Sequence, residues 1–555
     1  MQAKTCAELN LSADIEKILL GYVSAKSFSN SKGEKDAEKY FVDYFASQPY
    51  FQSNPELFGA YPIEGDYLDR SVVWAMVKGS SPETIVMIHH YDVVTVEDYK
   101  LLKDFAFKPY ELEVELKKIK EHLSEEARAD LESGDYLFGR GVCDMKGGGS
   151  IQMALLSQYA KDENFKGNVI VMGVPDEENL SAGMRGGILL LNKLKEKYNL
   201  DYKLMTNSEP HQRKDKDRGV FSLGSIGKIM PYVYVRGFLA HAGKVFEGLN
   251  PVNIMSEIVR NTEVNMKLSD VVGKEAAPPP TWLYLRENKI SYDVSMPLTI
   301  TGCLSILTLN QTPKGVMDEI KDICKDSFKT VLDDMNQNYH TFLECTCQEK
   351  KDLPWKVKVV DFGELYNEAY IEYGEEFKEK YDEHIHEIKR SLEAEEETLI
   401  TANFKLVDFV FDYVKDLSPR VVVGLIPPYY PNVANLYMDN LDETVSNLYD
   451  TLNNFTKDTF SQEYDSEYFY TGISDLSYAN INDGEAVYKA LKESMPLLDS
   501  IYKLPVKDIE AISMPCINIG PWGKDFHKLT ERVLREDLLE RTPRILDYAV
   551  KQILK

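Results

Sequence analysis

Only nine histidines occur in the 555 residues, so their placing is informative. His90 and Asp92 follow an apolar run, Thr84 to His89. A His-x-Asp at the end of a strand sets both side chains on the same side, because strand residues alternate. Imidazole is a good zinc ligand, and a carboxylate two residues on can orient it or serve a second ion. The plain alternative is a polar strand end capping a turn. Asp144 sits in the glycine-rich Gly139 to Gly149, where glycines permit close backbone approach. It opens a helix, so it is either an N-cap or a carboxylate bridging two cations. Pro175–Asp176–Glu177–Glu178 follows a second apolar run, Asn168 to Val174. Loops behind buried strands of an α/β sheet are where ligands bind. There one glutamate can hold metal while its neighbour takes a proton from water. Glu209 lies in Asn207–Ser208–Glu209–Pro210–His211, and His211 could line the same pocket. His527 ends Gly520–Pro521–Trp522–Gly523–Lys524–Asp525–Phe526–His527, with Thr530 and Glu531 expected on a following helix.

The elements that must position these residues alternate. Ser12 or Asp14 caps a helix through Val23, and Glu34 to Ser47 has helical spacing. Ser71 to Val77, Thr84 to His89 and Asn168 to Val174 are predicted strands, and Gly147 to Tyr159 and Gly187 to Lys197 predicted helices. Such alternation predicts an α/β layer architecture. Beyond Gly224 the order changes to strand 228–236, helix 251–266, strand 297–309, helix 314–335 and strand 355–362, which predicts an inserted α+β domain. The charged helical stretch from Gly363 to Glu397 is expected to be largely a solvated surface, and Arg420 to Ile426 is a further predicted strand. The expected organisation is thus a first α/β part over 1–225, an inserted α+β domain over 226–361, and a second part of the first domain with an extension over 362–555.

Composition excludes several classes. A hydrophobic fraction of 43% is globular, and a net charge of −26 argues against a nucleic-acid partner, which needs a basic face. No apolar stretch approaches the ~20 residues of a membrane span. The segment Met1 to Ala13 has no basic region followed by an apolar run, so a cytoplasmic location is expected. Seven scattered cysteines fit free thiols in a reducing compartment better than a disulfide framework.

The five motifs, in their order, resemble the zinc aminoacylase/carboxypeptidase superfamily (metallopeptidase family 20). The length and Pro427–Pro428–Tyr429–Tyr430–Pro431 look more like its arginine-utilisation branch. This resemblance implies a zinc-exopeptidase-like catalytic domain, with a mainly parallel sheet between helices, plus an α+β lid. It implies two divalent ions, zinc with cobalt or manganese as alternatives, held by His90, Asp144, Glu178, Glu209 and His527. His90 and Glu209 would serve different ions and Asp144 would bridge them. Asp92 would hold the His90 tautomer and Glu177 would be the general base. Val235 to Gly243 matches a Gly-x-x-x-His-Ala segment, making His241 a candidate oxyanion donor, and Gly472–Ile473–Ser474–Asp475 resembles a substrate-side loop. The implied activity is cleavage of an amide or peptide bond in a small peptide or N-acyl amino acid, with a homodimer formed through the lid. His89 stands where the family has glycine, and His90 alone keeps one residue before the aspartate. Asn310 stands where many relatives carry arginine. A non-catalytic scaffold on a retired hydrolase fold is the alternative.

Overall fold

The computed structural model describes residues 11–213, 217–289 and 291–554, so Cys6 lies outside the described residues. The chain divides into two compact units, 1–226 with 433–481 and 507–555, and 227–432 with 482–506.

The first unit is built on an eight-stranded sheet. Its strands are β1 (Phe58–Pro62), β2 (Ser71–Lys78), β3 (Glu83–His90), β4 (Asn168–Val174), β5 (Asp201–Asn207), β6 (Arg218–Ser222), β7 (Glu463–Glu467) and β8 (Cys516–Asn518), in the order β1-β2-β4-β3-β5-β8-β6-β7. The central β4, β3, β5 and β8 run parallel. Every residue of β4 is buried, and every residue of β3 after Glu83, as expected of strands covered on both faces. The helix Leu11–Ser24 presents Ile15, Ile18, Leu19 and Tyr22 to the core, and Lys146–Tyr159 is buried along almost its whole length. Helix Ala182–Tyr198 begins five residues before the predicted start, directly after Ser181, whose φ of 51° ends the preceding loop. Thr530 and Glu531 precede the short strand Arg532–Leu534 instead of lying on a helix.

The second unit holds a mostly antiparallel sheet ordered Thr281–Glu287, Thr299–Thr308, Pro231–Arg236, Arg420–Leu425 and Val359–Asp361. The predicted strand over 228–236 is interrupted at Met230, before a proline that has no N–H for a ladder. Helix Pro313–Cys345 runs ten residues past its predicted end. The division at 361 is a further correction, since this unit continues through Asn432 and takes in 482–506. A capping box of Asp361 and Glu364 starts helix Phe362–Glu393, whose Phe362, Leu365, Ala369, Phe377, Tyr381 and Ile388 are buried. They pack with Ala402, Leu406 and Val410 of helix Leu399–Phe411 into this unit's core. The charged stretch therefore carries an apolar stripe as well as a solvated face.

Cys143, Cys303, Cys324 and Cys516 are buried free thiols, while Cys345 and Cys347 are exposed. Among the described residues no helix is long and apolar enough to cross a membrane.

Candidate active site

The first unit's carboxylates gather at the carboxyl ends of its parallel strands, where open α/β sheets bind ligands. β3 and β5 are in register with Ile88 opposite Asn207, and β3 and β4 with His90 opposite Val174. Two residues beyond Ile88 and Asn207 lie His90 and Glu209, and just past Val174 come Glu177 and Glu178. His90 Nε2 lies 3.0 Å from Asp144 Oδ1, 3.7 Å from Glu209 Oε1 and 4.0 Å from Glu177 Oε2. The other oxygen of Asp144 lies 3.1 Å from His527 Nε2, which is also 3.0 Å from Glu178 Oε1.

Three groups of donor atoms result: His90, Asp144 and Glu209; His90, Glu177 and Glu178; and Asp144, Glu178 and His527. Asp144 belongs to the first and the third. The parallel register of β3 and β5 sets His90 and Glu209 side by side.

The tautomer of His90 is fixed from behind. Its Nδ1–H donates to the Asp92 main-chain carbonyl at 3.0 Å, with the Asp92 carboxylate 3.6 Å away. That points Nε2 into the carboxylate cluster, the orientation a metal-ligating imidazole needs. The Asp92 carboxylate also accepts the N–H groups of Glu177 and Glu178, at 3.1 and 3.2 Å, so it positions the acidic pair. His89 faces the opposite side of β3, its Nδ1 2.9 Å from Gln152 Oε1 and its Nε2 3.2 Å from the Tyr22 hydroxyl.

The electrostatics test whether cations fit. Burial, and then repulsion by neighbouring carboxylates, pushes Glu209, Glu178 and Glu177 above the usual carboxyl range, although His90 opposes it. Burial also pushes Asp144 upward, but hydrogen bonds with His527 and His90 outweigh it and hold that carboxyl low. Hydrogen bonds with Asp144 and Glu178 raise His527 to about 10. A partly buried cluster of four carboxylates with two imidazoles is a hard-oxygen and nitrogen donor set suited to divalent cations. The residues present therefore fit such ions.

Residues 88–551 match the family described as Peptidase family M20/M25/M40. The chain belongs to that family. As a family member it is a metal-dependent hydrolase of peptide C–N bonds. This M20 peptidase is 30% identical over 554 residues to the uncharacterized protein YqjN of Bacillus subtilis, covering 97% of this chain and 96% of the relative. It is 26% identical to Protein RocB of the same organism, over 100% of this chain and 97% of RocB, in keeping with the expected likeness to the arginine-utilisation branch. Among solved structures, aminopeptidase PepT from Bacillus cereus matches with a TM-score of 0.52 at 12% identity, over 98% of this chain and 99% of that one. An M20 family metallo-carboxypeptidase from Sulfolobus solfataricus matches with a TM-score of 0.52 at 11% identity, over the same shares. These structural likenesses establish the shared α/β fold.

Two buried ion networks brace the loops of this M20 peptidase, and sequence reading assigned neither. Glu531, fully buried, receives Arg140 Nη1 at 2.5 Å and the N–H groups of Gly141, Cys143 and Asp144 at 2.8, 3.3 and 3.3 Å. One carboxylate thus shapes the turn that presents Asp144. Arg70 joins Asp66, Glu34 and Asp176 at 2.6, 3.1 and 2.7 Å and braces the start of the Glu177 loop, where Asp176 has a φ of 69°. Removing one partner of a buried pair strands the other charge, at a cost of about 3–5 kcal/mol. Glu531→Ala is therefore expected to lower unfolding free energy by about that amount in urea titration. Glu531→Gln, which keeps an acceptor for the Gly141 N–H, is expected to lose less, and equal losses would contradict this assignment.

His211 does not line the cleft. It is buried, its Nδ1–H donating to Gly520 O at 2.8 Å and its Nε2 accepting from Arg213 at 3.1 Å. Burial holds both His211 and His89 at about 4, against 6.5 in an unfolded chain. Each takes up a proton on unfolding between those values, so stability falls as pH drops from 6.5 towards 4. In the presence of a chelator, His89→Gln should lose about 2–3 kcal/mol less than wild type between pH 7 and 4.5. Equal losses in urea titrations at the two pH values would refute this. Tyr470, Gly472 and Ile473 line the cleft beside Glu177, Glu178, Glu209 and His527, and the cleft encloses about 600 Å³. Asp475 is buried behind it. His241 belongs to the second unit, where it is exposed and its Nδ1 accepts the Gly243 N–H at 3.0 Å. Asn310, also in that unit, shares with Leu309 and Gln311 an N–H contact to Asp270.

Proposed function

We propose that the chain hydrolyses an amide or peptide bond of a small peptide or N-acyl amino acid, with two divalent cations, zinc or else cobalt or manganese, in the Asp144 cluster. The observation that carries this reading is the placing of Asp144, whose two oxygens face His90 and His527 separately. His90 and Glu209 would hold one ion, Glu178 and His527 the other, and Asp144 both. When bound, such ions supply Lewis acidity that lowers the pKa of a water and polarises the scissile carbonyl.

The residues of the chain do the rest. Glu178 is engaged by His527 at 3.0 Å, whereas Glu177 stands 4.0 Å from His90 Nε2, beyond hydrogen-bonding distance. Glu177 is thus the carboxylate left to move a proton. Burial raises its affinity for that proton, which suits a group that must accept it and give it back. Glu177 takes the proton of water as the water oxygen bonds to the carbonyl carbon. It then returns the proton to the nitrogen as the C–N bond breaks. Asp92 holds Glu177 in place through its N–H. The oxyanion role proposed for His241 needs a proton on Nε2, the tautomer favoured by the Gly243 N–H at Nδ1. A retired scaffold is disfavoured by the complete ligand set and the base beside it.

The test is an assay of dipeptides and N-acyl amino acids before chelation, after it, and after adding back zinc, manganese or cobalt. Hydrolysis that is lost and then restored is expected, and the substrates turned over separate peptidase from deacylase. Hydrolysis indifferent to chelation would overturn the proposal.

A further inference from the structure

The second unit contains a cavity of about 620 Å³ between its sheet and helix Leu399–Phe411, with His384 on its rim. Its most unusual member is Arg236, the last residue of strand Pro231–Arg236. In the antiparallel ladder Arg236 stands directly opposite Arg420, so both side chains leave the sheet on one face. Both guanidinium groups lie over the Phe411 ring, at 5.1 and 5.8 Å from its centroid. Their electrostatic situations differ. Arg420 is neutralised by Glu368 at 2.8 Å and Asp416 at 3.0 Å. For half-buried Arg236, no carboxylate among the described residues comes within salt-bridge distance, and its buried Nε has no hydrogen-bond partner. A guanidinium drawn partly out of water without an acceptor is costly, and a planar fork of donors matches a carboxylate.

The other groups facing the cavity narrow the class of ligand. Lys405 is already paired with Glu397; Asp408 accepts the Tyr234 hydroxyl and interacts electrostatically with Arg236 without forming a salt bridge to it. Asp412 is exposed on the cavity wall and is available to a cation. Phe409, stacked on His384 at 4.6 Å, and Val414 give the same cavity an apolar part. A guanidinium with no salt bridge, an exposed carboxylate and an apolar surface together complement a zwitterion with an apolar side chain.

We infer that this cavity of the second unit binds a free α-amino acid with an apolar side chain, its carboxylate on Arg236, its ammonium on Asp412 and its side chain against Phe409 and Val414. The site goes beyond the proposed hydrolysis. It is carried by residues outside the Asp144 cluster and stands whether or not that cluster is catalytic.

The test is isothermal titration of the full metal-loaded protein with L-leucine and with 4-methylpentanoate, which lacks the ammonium group. Wild type should bind leucine saturably, with Kd of about 1 mM or tighter, and keep this binding after chelation. Arg236→Met should weaken leucine by at least about tenfold. Asp412→Asn, a surface change that does not threaten folding, should bring leucine down to the affinity of 4-methylpentanoate. Thermal unfolding of both variants guards against a misfolded negative. No saturation by leucine up to about 10 mM, or binding unchanged in both variants, would overturn the inference.

Discussion

Glu177→Gln is expected to lower kcat by about 10²–10⁴-fold, the range general acid–base groups supply, while the protein keeps its metal. The variant keeps the side-chain volume and the backbone N–H that Asp92 holds at 3.1 Å, so the loop around it should stay in place. Glu177 is also the acidic residue of the pair that does not meet His527, which makes its loss a loss of proton transfer more than of binding. KM should change little, because the step affected follows substrate binding. Steady-state kinetics and elemental analysis of one preparation check both halves. A variant with near-normal kcat would remove Glu177 from the role of base. One that also lost its metal would make Glu177 a ligand.

Asp144→Ala should have the second large effect, the weakening of both proposed ions together. The group of His90 with Glu209 and the group of His527 with Glu178 each owe one oxygen to Asp144, one beside His90 at 3.0 Å and the other beside His527 at 3.1 Å. Without it, each ion would keep one histidine and one glutamate. Loss of groups that merely orient ligands costs 10–100-fold in metal affinity, so losing a shared ligand should cost more than about 100-fold at both sites. Glu209→Gln and His527→Asn provide the contrast, since each belongs to one group only and should weaken one ion selectively. If Asp144→Ala weakened one ion and spared the other, the shared role would be wrong. Metal titrations of the three variants read this out.

Much of this was legible from residue order, and what was not has a physical reason. Asn168–Val174 is a continuous apolar run whose bounds as a strand agree with the structure, because a strand buried on both faces leaves no ambiguity about its ends. The motif positions also lie close together, with donor atoms of His90, Asp144, Glu177, Glu178, Glu209 and His527 in one cluster. Which histidine neighbours which glutamate was not legible, because that depends on strand order, and β3 meets β5 across more than a hundred residues of sequence. The same holds for Glu531 and Arg140, which form one buried pair although 391 residues separate them. The extent of the second unit was hidden differently. Phe362, Leu365 and Ala369 keep helical spacing, but the surrounding glutamates and lysines dominate the composition of that stretch. Counting charge masked the stripe that buries it.

The central claim is that the Asp144 cluster holds a pair of ions, and counting them tests it most directly. The purified protein would be stripped by chelation, reloaded with zinc or manganese, dialysed, and analysed for metal per chain. About two ions per chain, falling well below one in Asp144→Ala, is the expected result. A wild-type protein that retains no ion with all five ligands intact would contradict it.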